Sequence, residues 1–196
     1  MRIIAGEWRG RRIEAPKGEA TRPTADRTRE TLFNMLTSRL GSFEGLRAAD
    51  LFAGSGALGL EALSRGAAHC LFVEQDRAAL SAIRANIRAL DAGARASVEA
   101  GSVMGLRAAR EPLDLVLADP PYGTGAGSVA LDRMLRLGWI GEATWIALET
   151  GKAEEVAVKG LEVETERRIG KGKGKLTLLR PASPNGAPAD PGSGPA

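Results

Sequence analysis

The stretch Leu46-Arg-Ala-Ala-Asp-Leu-Phe-Ala-Gly-Ser-Gly-Ala-Leu-Gly-Leu-Glu-Ala-Leu-Ser-Arg65 reads as a strand, a glycine turn and a helix. Leu46–Phe52 is the strand, and Ala57–Arg65 carries the helical pattern. Between them, Gly54-Ser-Gly56-Ala-Leu-Gly59 satisfies G-x-G-x-x-G. Glycines at such a junction let the backbone approach a ligand, and the helix N-terminus offers unpaired N–H groups. Glu74 closes the next strand about twenty residues on, where a carboxylate can accept both hydroxyls of a ribose. Nicotinamide, flavin and S-adenosylmethionine sites share this turn, and a plain tight turn uses it too. Asp50 narrows the choice. An anion just before the turn suits a methionine ammonium, or a water bound to it, better than a pyrophosphate.

Outward from this stretch, strands and helices alternate. Strands are expected at His69–Glu74, Ala94–Ala100, Leu113–Ala118 and Thr144–Glu149, with helices at Arg77–Leu90 and Val129–Leu137. Alternation means crossover connections and a parallel sheet. The nearly all-apolar Leu113–Ala118 has the character of a central strand covered on both faces. Leu161–Ile169 and Lys175–Arg180, joined by Gly170-Lys-Gly-Lys-Gly-Lys175, break the pattern and predict a final antiparallel pair. At the other end, Arg2–Ala5 and Arg11–Glu14 predict a hairpin turning between Gly6 and Gly10. Thr24 or Asp26 is placed to cap a helix reaching Arg39. Three segments follow: a basic hairpin over 1–20, a catalytic unit over 21–180, and a Pro/Gly-rich tail over 181–196, expected to be disordered.

Asp119-Pro-Pro-Tyr122 ends the central strand. An aryl amine is a poor nucleophile because its lone pair is delocalised into the ring. Hydrogen bonds from its N–H groups to the Asp119 carboxylate and a proline-region carbonyl favour a pyramidal nitrogen, whose lone pair can then aim at a methyl carbon. Pro120 and Pro121 stiffen the backbone without adding donors, and Tyr122 offers a face on which a base can stack. Asp50, Gly54, Glu74 and Asp119 all fall at carboxyl ends of strands, where open α/β sheets bind ligands. Methyl transfer to a nucleobase nitrogen is the chemistry these features share.

Four segments together resemble one family. Ile3-Ile-Ala-Gly-Glu-Trp-Arg-Gly-Arg11, Arg22-Pro-Thr-Ala-Asp-Arg-Thr-Arg-Glu-Thr-Leu-Phe-Asn34, Asp50–Ala67 and Asp119-Pro-Pro-Tyr122 are similar to the bacterial 16S ribosomal RNA (guanine-N2)-methyltransferases of RsmD type. The resemblance runs to about Arg180. It implies a Rossmann-like, seven-stranded class I methyltransferase fold that uses S-adenosyl-L-methionine and modifies the exocyclic N2 of a guanine in 16S rRNA. It further implies cofactor contacts from Arg22, Thr24, Asp50, Gly54, Ser55, Gly56, Glu74 and Asp119, with Asp119, Pro120 and Tyr122 holding the amine and base. Many relatives in the wider superfamily place an acidic or amide residue after the third strand for the adenine. Gly101 and Ser102 stand there in this chain, so Ser102 or backbone groups are expected to serve.

The remaining composition bounds the substrate. Of 196 residues, 43% are hydrophobic and 26% charged, values of a globular chain without a membrane-length apolar run. With Cys70 the one cysteine and His69 the one histidine, disulfides, zinc clusters and histidine triads are excluded, and no metal is expected. No export signal opens the chain, which points to the cytoplasm. Net charge is only +3, but basic residues crowd both ends. Arg9, Arg11 and Arg12 in the hairpin and Lys171, Lys173 and Lys175 in the glycine-lysine loop are the candidate RNA contacts. Such attachments hold phosphates but read few bases. A pre-folded substrate is therefore expected, namely 16S rRNA within the 30S subunit or an assembly intermediate, met by a monomer. Trp8 suits either RNA stacking or packing under the hairpin, and Trp139 and Trp145 read as core. The competing readings are a DNA adenine-N6 methyltransferase, a nicotinamide-linked dehydrogenase and a non-enzymatic RNA-binding assembly factor.

Overall fold

Central strands with apolar residues on both faces can be stable only between two helical layers, and that is the architecture found. The computed structural model of the chain describes residues 1–16, 23–170 and 173–183. Its strands are β1 (Arg47–Leu51), β2 (His69–Glu74), β3 (Ala96–Ala100), β4 (Leu113–Ala118), β5 (Ile140–Gly151), β6 (Leu161–Ile169) and β7 (Gly174–Pro181). The helices are α1 (Pro23–Leu40), α2 (Ala57–Ser64), α3 (Arg77–Ala89) and α4 (Ala126–Arg136). The seven strands form one sheet in the order β3-β2-β1-β4-β5-β7-β6. Pairing is parallel from β3 to β5, and β7 is antiparallel to both of its neighbours. The final hairpin thus folds back so that the last strand lies inside the sheet and β6 forms its edge.

This order creates a switch point. From β1 the chain proceeds to β2 on one side, while β4 lies on the other. Connections leave in opposite directions there, which opens a crevice at the carboxyl ends of β1 and β4. One buried cluster, with Phe33, Leu36, Leu60, Leu63 and Phe72, packs one sheet face, and another, with Val116, Leu131, Met134 and Leu148, packs the other. Gly59 sets the α2–sheet distance, since a Cβ there would lie 2.4 Å from the Phe72 ring.

The amino-terminal segment departs from two extended strands. Hydrogen bonds from Ile3 N to Arg11 O, Gly10 N to Ile3 O and Ile13 N to Met1 O close a hairpin, yet only Arg2 and Arg12 form a β-bridge. The reason is Glu61, fully buried on α2, whose carboxylate accepts the N–H groups of Ile4 (2.8 Å) and Ala5 (3.0 Å). Donors that would extend the ladder are spent on the helix instead. Arg65 pairs with the same carboxylate at 2.9 Å, and Arg29 at 3.7 Å. Gly6 is obligatory at this junction. With φ +84°, a Cβ would lie 1.8 Å from the Ser64 carbonyl oxygen.

Other expectations shift for local reasons. Asp26 is not a cap, since it lies inside α1 and pairs with Arg29 at 2.9 Å. α4 begins earlier than the apolar pattern suggested, after Gly125 in the left-handed conformation. β5 begins at Ile140, where Thr144 Oγ1 accepts the Gly141 N–H and donates to the Leu113 carbonyl across the bulged β4–β5 register. Trp139 and Trp145 are half-buried and pack against the two core clusters, the first donating its indole N–H to Arg107 O and the second lying under the Arg180 guanidinium. Trp8 is buried beneath the Arg95 guanidinium, so packing is its role. Among the described residues, no helix is long and apolar enough to cross a membrane. The expected disorder of the tail lies outside the described residues from position 184 onward.

Candidate active site

Three strand ends supply the acids. Asp50 in β1 is buried, and its Oδ2 accepts the Gly59 N–H at 2.8 Å, tying the strand to the first turn of α2. Glu74, ending β2, accepts Gly54 N–H at 2.8 Å through Oε2, and the N–H groups of Gln75 and Asp76 through Oε1. Asp119 follows β4 at the switch point. The glycine turn between these acids is sharply bent. Gly54 and Gly56 have φ +55° and +78°, and Phe52 joins them at φ +59°. A bulky residue in the left-handed region is held there at a cost of about 1–3 kcal/mol, and such strain gathers at ligand sites. Phe52 lines both cavities that meet here.

The first cavity, about 600 Å³, is lined by Phe52, Gly54, Glu74, Asp76, Ser102 and Asp119, with the proline pair, Tyr122 and Glu149. Its described lining contains four carboxylates and no lysine or arginine. The acid cluster shows in Asp50. Burial holds its pKa well above the usual carboxylate range, the Gly59 N–H pulls it down, and the charges of Asp119 and Glu74 push it up again. Such a site repels a pyrophosphate and favours a cationic ligand. The second cavity, about 920 Å³, shares Phe52, Gly54, Asp119, Tyr122 and Glu149 with the first, but its rim carries Arg27, Arg167, Arg168 and Lys173. Thus α1 and the β6–β7 hairpin, far apart in sequence, bring cations to one cleft. An acidic pocket and a basic cleft share Asp119 and Tyr122 as their common wall.

The predicted residues are distributed unevenly. Gly54, Glu74, Ser102, Asp119, Pro120 and Tyr122 line the first cavity, and Asp50 and Ser55 line the second. Gly56 lines neither, and its N–H closes the turn on Ala53 O at 2.7 Å. Ser102 Oγ accepts the Met104 N–H at 3.3 Å and Gly101 N–H is spent on Glu74 O, so the Ser102 hydroxyl hydrogen is a candidate adenine donor. Arg22, Lys171 and the Thr24 side chain lie outside the described residues.

The basic candidates need revision. Lys175 pairs with Glu166 at 2.7 Å across the hairpin, with only 13% of its side chain exposed, and Arg11 donates to the Ala89 carbonyl at the end of α3. Both side chains thus already have a partner within the fold. Arg9 and Arg12 are exposed but line neither cavity. Lys173 does line the cleft, in company with Arg167 and Arg168 from the same basic stretch of the sequence.

Glu149 was also passed over. It follows the apolar run Trp145–Leu148 in β5 as Asp119 and Glu74 follow theirs, and that shared placement was the available signal. Its Oε1 accepts the Tyr122 hydroxyl, and burial raises its pKa against the lowering effect of that bond. Burial and the Glu149 carboxylate together push the Tyr122 phenol above its ordinary value. Glu154 accepts the N–H groups of Gly123 (2.8 Å) and Gly125 (3.1 Å), pinning the loop that follows Tyr122.

The raised pKa of Asp50 gives a signed expectation. Its proton is held more tightly in the folded chain than in the unfolded one, near 3.9. The associated stability is complete below that value and is lost as pH rises through the folded pKa. Asp50→Asn keeps an acceptor for Gly59 N–H without the buried charge. Its Tm at pH 8 is expected to exceed that of the parent by about 2–4 °C for each 1 kcal/mol relieved, with the gain shrinking toward pH 4. Thermal melts across pH 4–8 read this directly, and an equal or lower Tm at pH 8 counts against the strained-acid account.

The sequence matches the family model described as "Conserved hypothetical protein 95" over residues 1–180. It is 39% identical to the ribosomal RNA small subunit methyltransferase D of Escherichia coli (strain K12) over 150 residues, 76% of this chain and 74% of that protein. To the Haemophilus influenzae protein of the same name it is 36% identical over 157 residues, 78% of this chain and 79% of that one. Among solved structures, the Escherichia coli protein yhhF aligns with a TM-score of 0.78 at 35% identity, covering 92% of this chain and 97% of that chain. The Thermus thermophilus protein TTHA0928 aligns at 0.70 with 30% identity, covering 92% and 99%.

Proposed function

The chain belongs to the conserved hypothetical protein 95 family, the RsmD-type ribosomal RNA methyltransferases, and on that premise we propose that it methylates the exocyclic N2 of one guanine in 16S rRNA using S-adenosyl-L-methionine. Its fold is the Rossmann-like class I methyltransferase fold with antiparallel C-terminal strands. The observation carrying the proposal is the pairing of a pocket whose charged residues are all acidic with a basic-rimmed cleft across Asp119 and Tyr122. S-Adenosylmethionine has a sulfonium and an ammonium, so the acidic lining suits it, whereas a dinucleotide would bring its pyrophosphate against Glu74 and Asp76.

The bound cofactor supplies an electrophilic methyl carbon on a leaving group that departs neutral. Around it, Glu74, which also accepts Gly54 N–H, would accept the ribose hydroxyls, and Ser102, on the same cavity, would serve the adenine. Asp119 accepts an N2–H of the base and directs the nitrogen lone pair along the line of transfer. As the N–C bond forms, the surplus N2 proton passes to Asp119 and then to water. Tyr122, half exposed with its hydroxyl tethered, offers a fixed face for stacking the splayed base. Most of the acceleration is then positioning and electrostatics.

The substrate is read as 16S rRNA inside the 30S subunit or an assembly intermediate, met by a monomer in the cytoplasm. Support comes from the cleft's size and from the few residues left to read sequence beyond the sheet and helices. Tritium transfer from S-adenosylmethionine to 30S particles, naked 16S RNA and duplex DNA, followed by mass mapping, tests the reading. Label in N2-methylguanine of 16S RNA supports it, and label chiefly in DNA overturns it.

Replacing Arg167, Arg168 and Lys173 with alanine is expected to weaken RNA binding and make log K against log salt shallower by about 2, at roughly 0.7 per lost phosphate contact. Filter binding across a salt series checks this. A wild-type slope would remove the β6–β7 rim from the interface.

A further inference from the structure

Asp119 alone cannot distinguish guanine from adenine, because both present an exocyclic amine. The neighbouring atom differs. Beside the amine, guanine carries N1–H, a donor, whereas adenine carries N1 with a lone pair, an acceptor. A second carboxylate next to Asp119 would therefore attract guanine and repel adenine.

Such a carboxylate is present. β4 and β5 run parallel with Ala118 opposite Leu148, which places Asp119, just past the end of β4, one step further on beside Glu149 of β5, with the strands about 4.8 Å apart. Glu149 lines both the acidic pocket and the basic cleft, as Asp119 does. It is also held in place. The Tyr122 hydroxyl donates to its Oε1, and Gly174 makes room for that hydroxyl, since a Cβ there would lie 2.6 Å from the phenol oxygen. A carboxylate accepts up to about four hydrogen bonds, so one phenol leaves it able to accept more. Burial raises its pKa, against the lowering effect of the Tyr122 hydrogen bond.

We propose that Glu149 is the specificity-determining residue of the base pocket, accepting the N1–H of guanine while Asp119 accepts an N2–H and Tyr122 holds the Glu149 carboxylate in place. The assignment rests on the guanine-N2 reading above and adds a residue and a basis for choosing between purines.

The test uses the full chain and RNA in which the mass-mapped guanine is replaced by 2-aminopurine, which keeps the 2-amine but has a lone pair at N1. The wild-type protein is expected to methylate guanine at least about tenfold faster than 2-aminopurine, as one well-placed base contact implies. In Glu149→Gln the rate on guanine is expected to fall by about ten- to a hundredfold and the guanine/2-aminopurine ratio to collapse toward one. S-Adenosylmethionine affinity by calorimetry is expected to stay within about threefold of wild type, the loss of one of four carboxylates being screened by solvent, and Tm to stay near wild type. Tyr122→Phe, which keeps the ring and removes only the tether, is expected to lower the same ratio by a smaller factor, and it decides the matter if Glu149→Gln proves unstable. A merely structural role would change the rates on both bases alike and leave the ratio untouched, and an unchanged ratio overturns the assignment. If the wild-type label is not on guanine N2 at all, the proposed function itself fails, a result separate from failure of Glu149 alone.

Discussion

Asp119→Ala is expected to lower kcat by about a hundredfold to a thousandfold while leaving the Kd for S-adenosylmethionine within about threefold of wild type. The reason is the division of labour at the switch point. The glycine turn is held by other groups, with Gly59 N–H bound to Asp50 and Gly54 N–H to Glu74. Removing Asp119 therefore leaves the turn standing and takes away the acceptor that orients the amine. Its loss also relieves Asp50 of one neighbouring negative charge, so the fold is not expected to suffer. Single-turnover methylation with calorimetric titration separates the two quantities. RNA affinity should survive, since the cations lie on the rim, and retained RNA binding with abolished methylation also rules out a purely scaffolding protein.

Glu74→Ala is expected to produce the complementary defect, raising the Kd for S-adenosylmethionine by about ten- to a hundredfold. Hydrogen bonds to a charged group contribute about 1.5–3 kcal/mol, and each 1.4 kcal/mol is a factor of ten. Glu74 also accepts three backbone N–H groups, from Gly54, Gln75 and Asp76. The alanine variant therefore loosens both edges of the pocket, and a modest fall in Tm should accompany the weaker binding. With the cofactor saturating, kcat should recover much more than in Asp119→Ala. Equal losses of cofactor affinity in the two variants would erase the distinction between ribose holder and amine holder.

The motifs were legible because each is local. G-x-G-x-x-G at a strand-to-helix junction, an acid closing the next strand and Asp-Pro-Pro-Tyr after an apolar run are patterns of adjacent residues, and the structure places Gly54, Glu74 and Asp119 on one cavity. Leu113–Ala118 and Leu161–Ile169 appear with the bounds read from their hydrophobic runs. What escaped was set by contacts between distant segments. The amino-terminal strands shrank to one bridge because Glu61, more than fifty residues away, takes the Ile4 and Ala5 amides. Lys175 is paired rather than free because β6 presents Glu166 to it.

The sequence by itself determined the fold class and the chemistry, since strand and helix periods, turn glycines and strand-end acids are properties of short stretches. Tertiary structure alone decided the partnerships. Parallel register set Glu149 beside Asp119, and the return of β7 between β5 and β6 carried Arg167, Arg168 and Lys173 to the cleft that Arg27 borders. Side chains far apart in the chain meet only through the sheet's order and register, and no local pattern encodes which strand lies next to which.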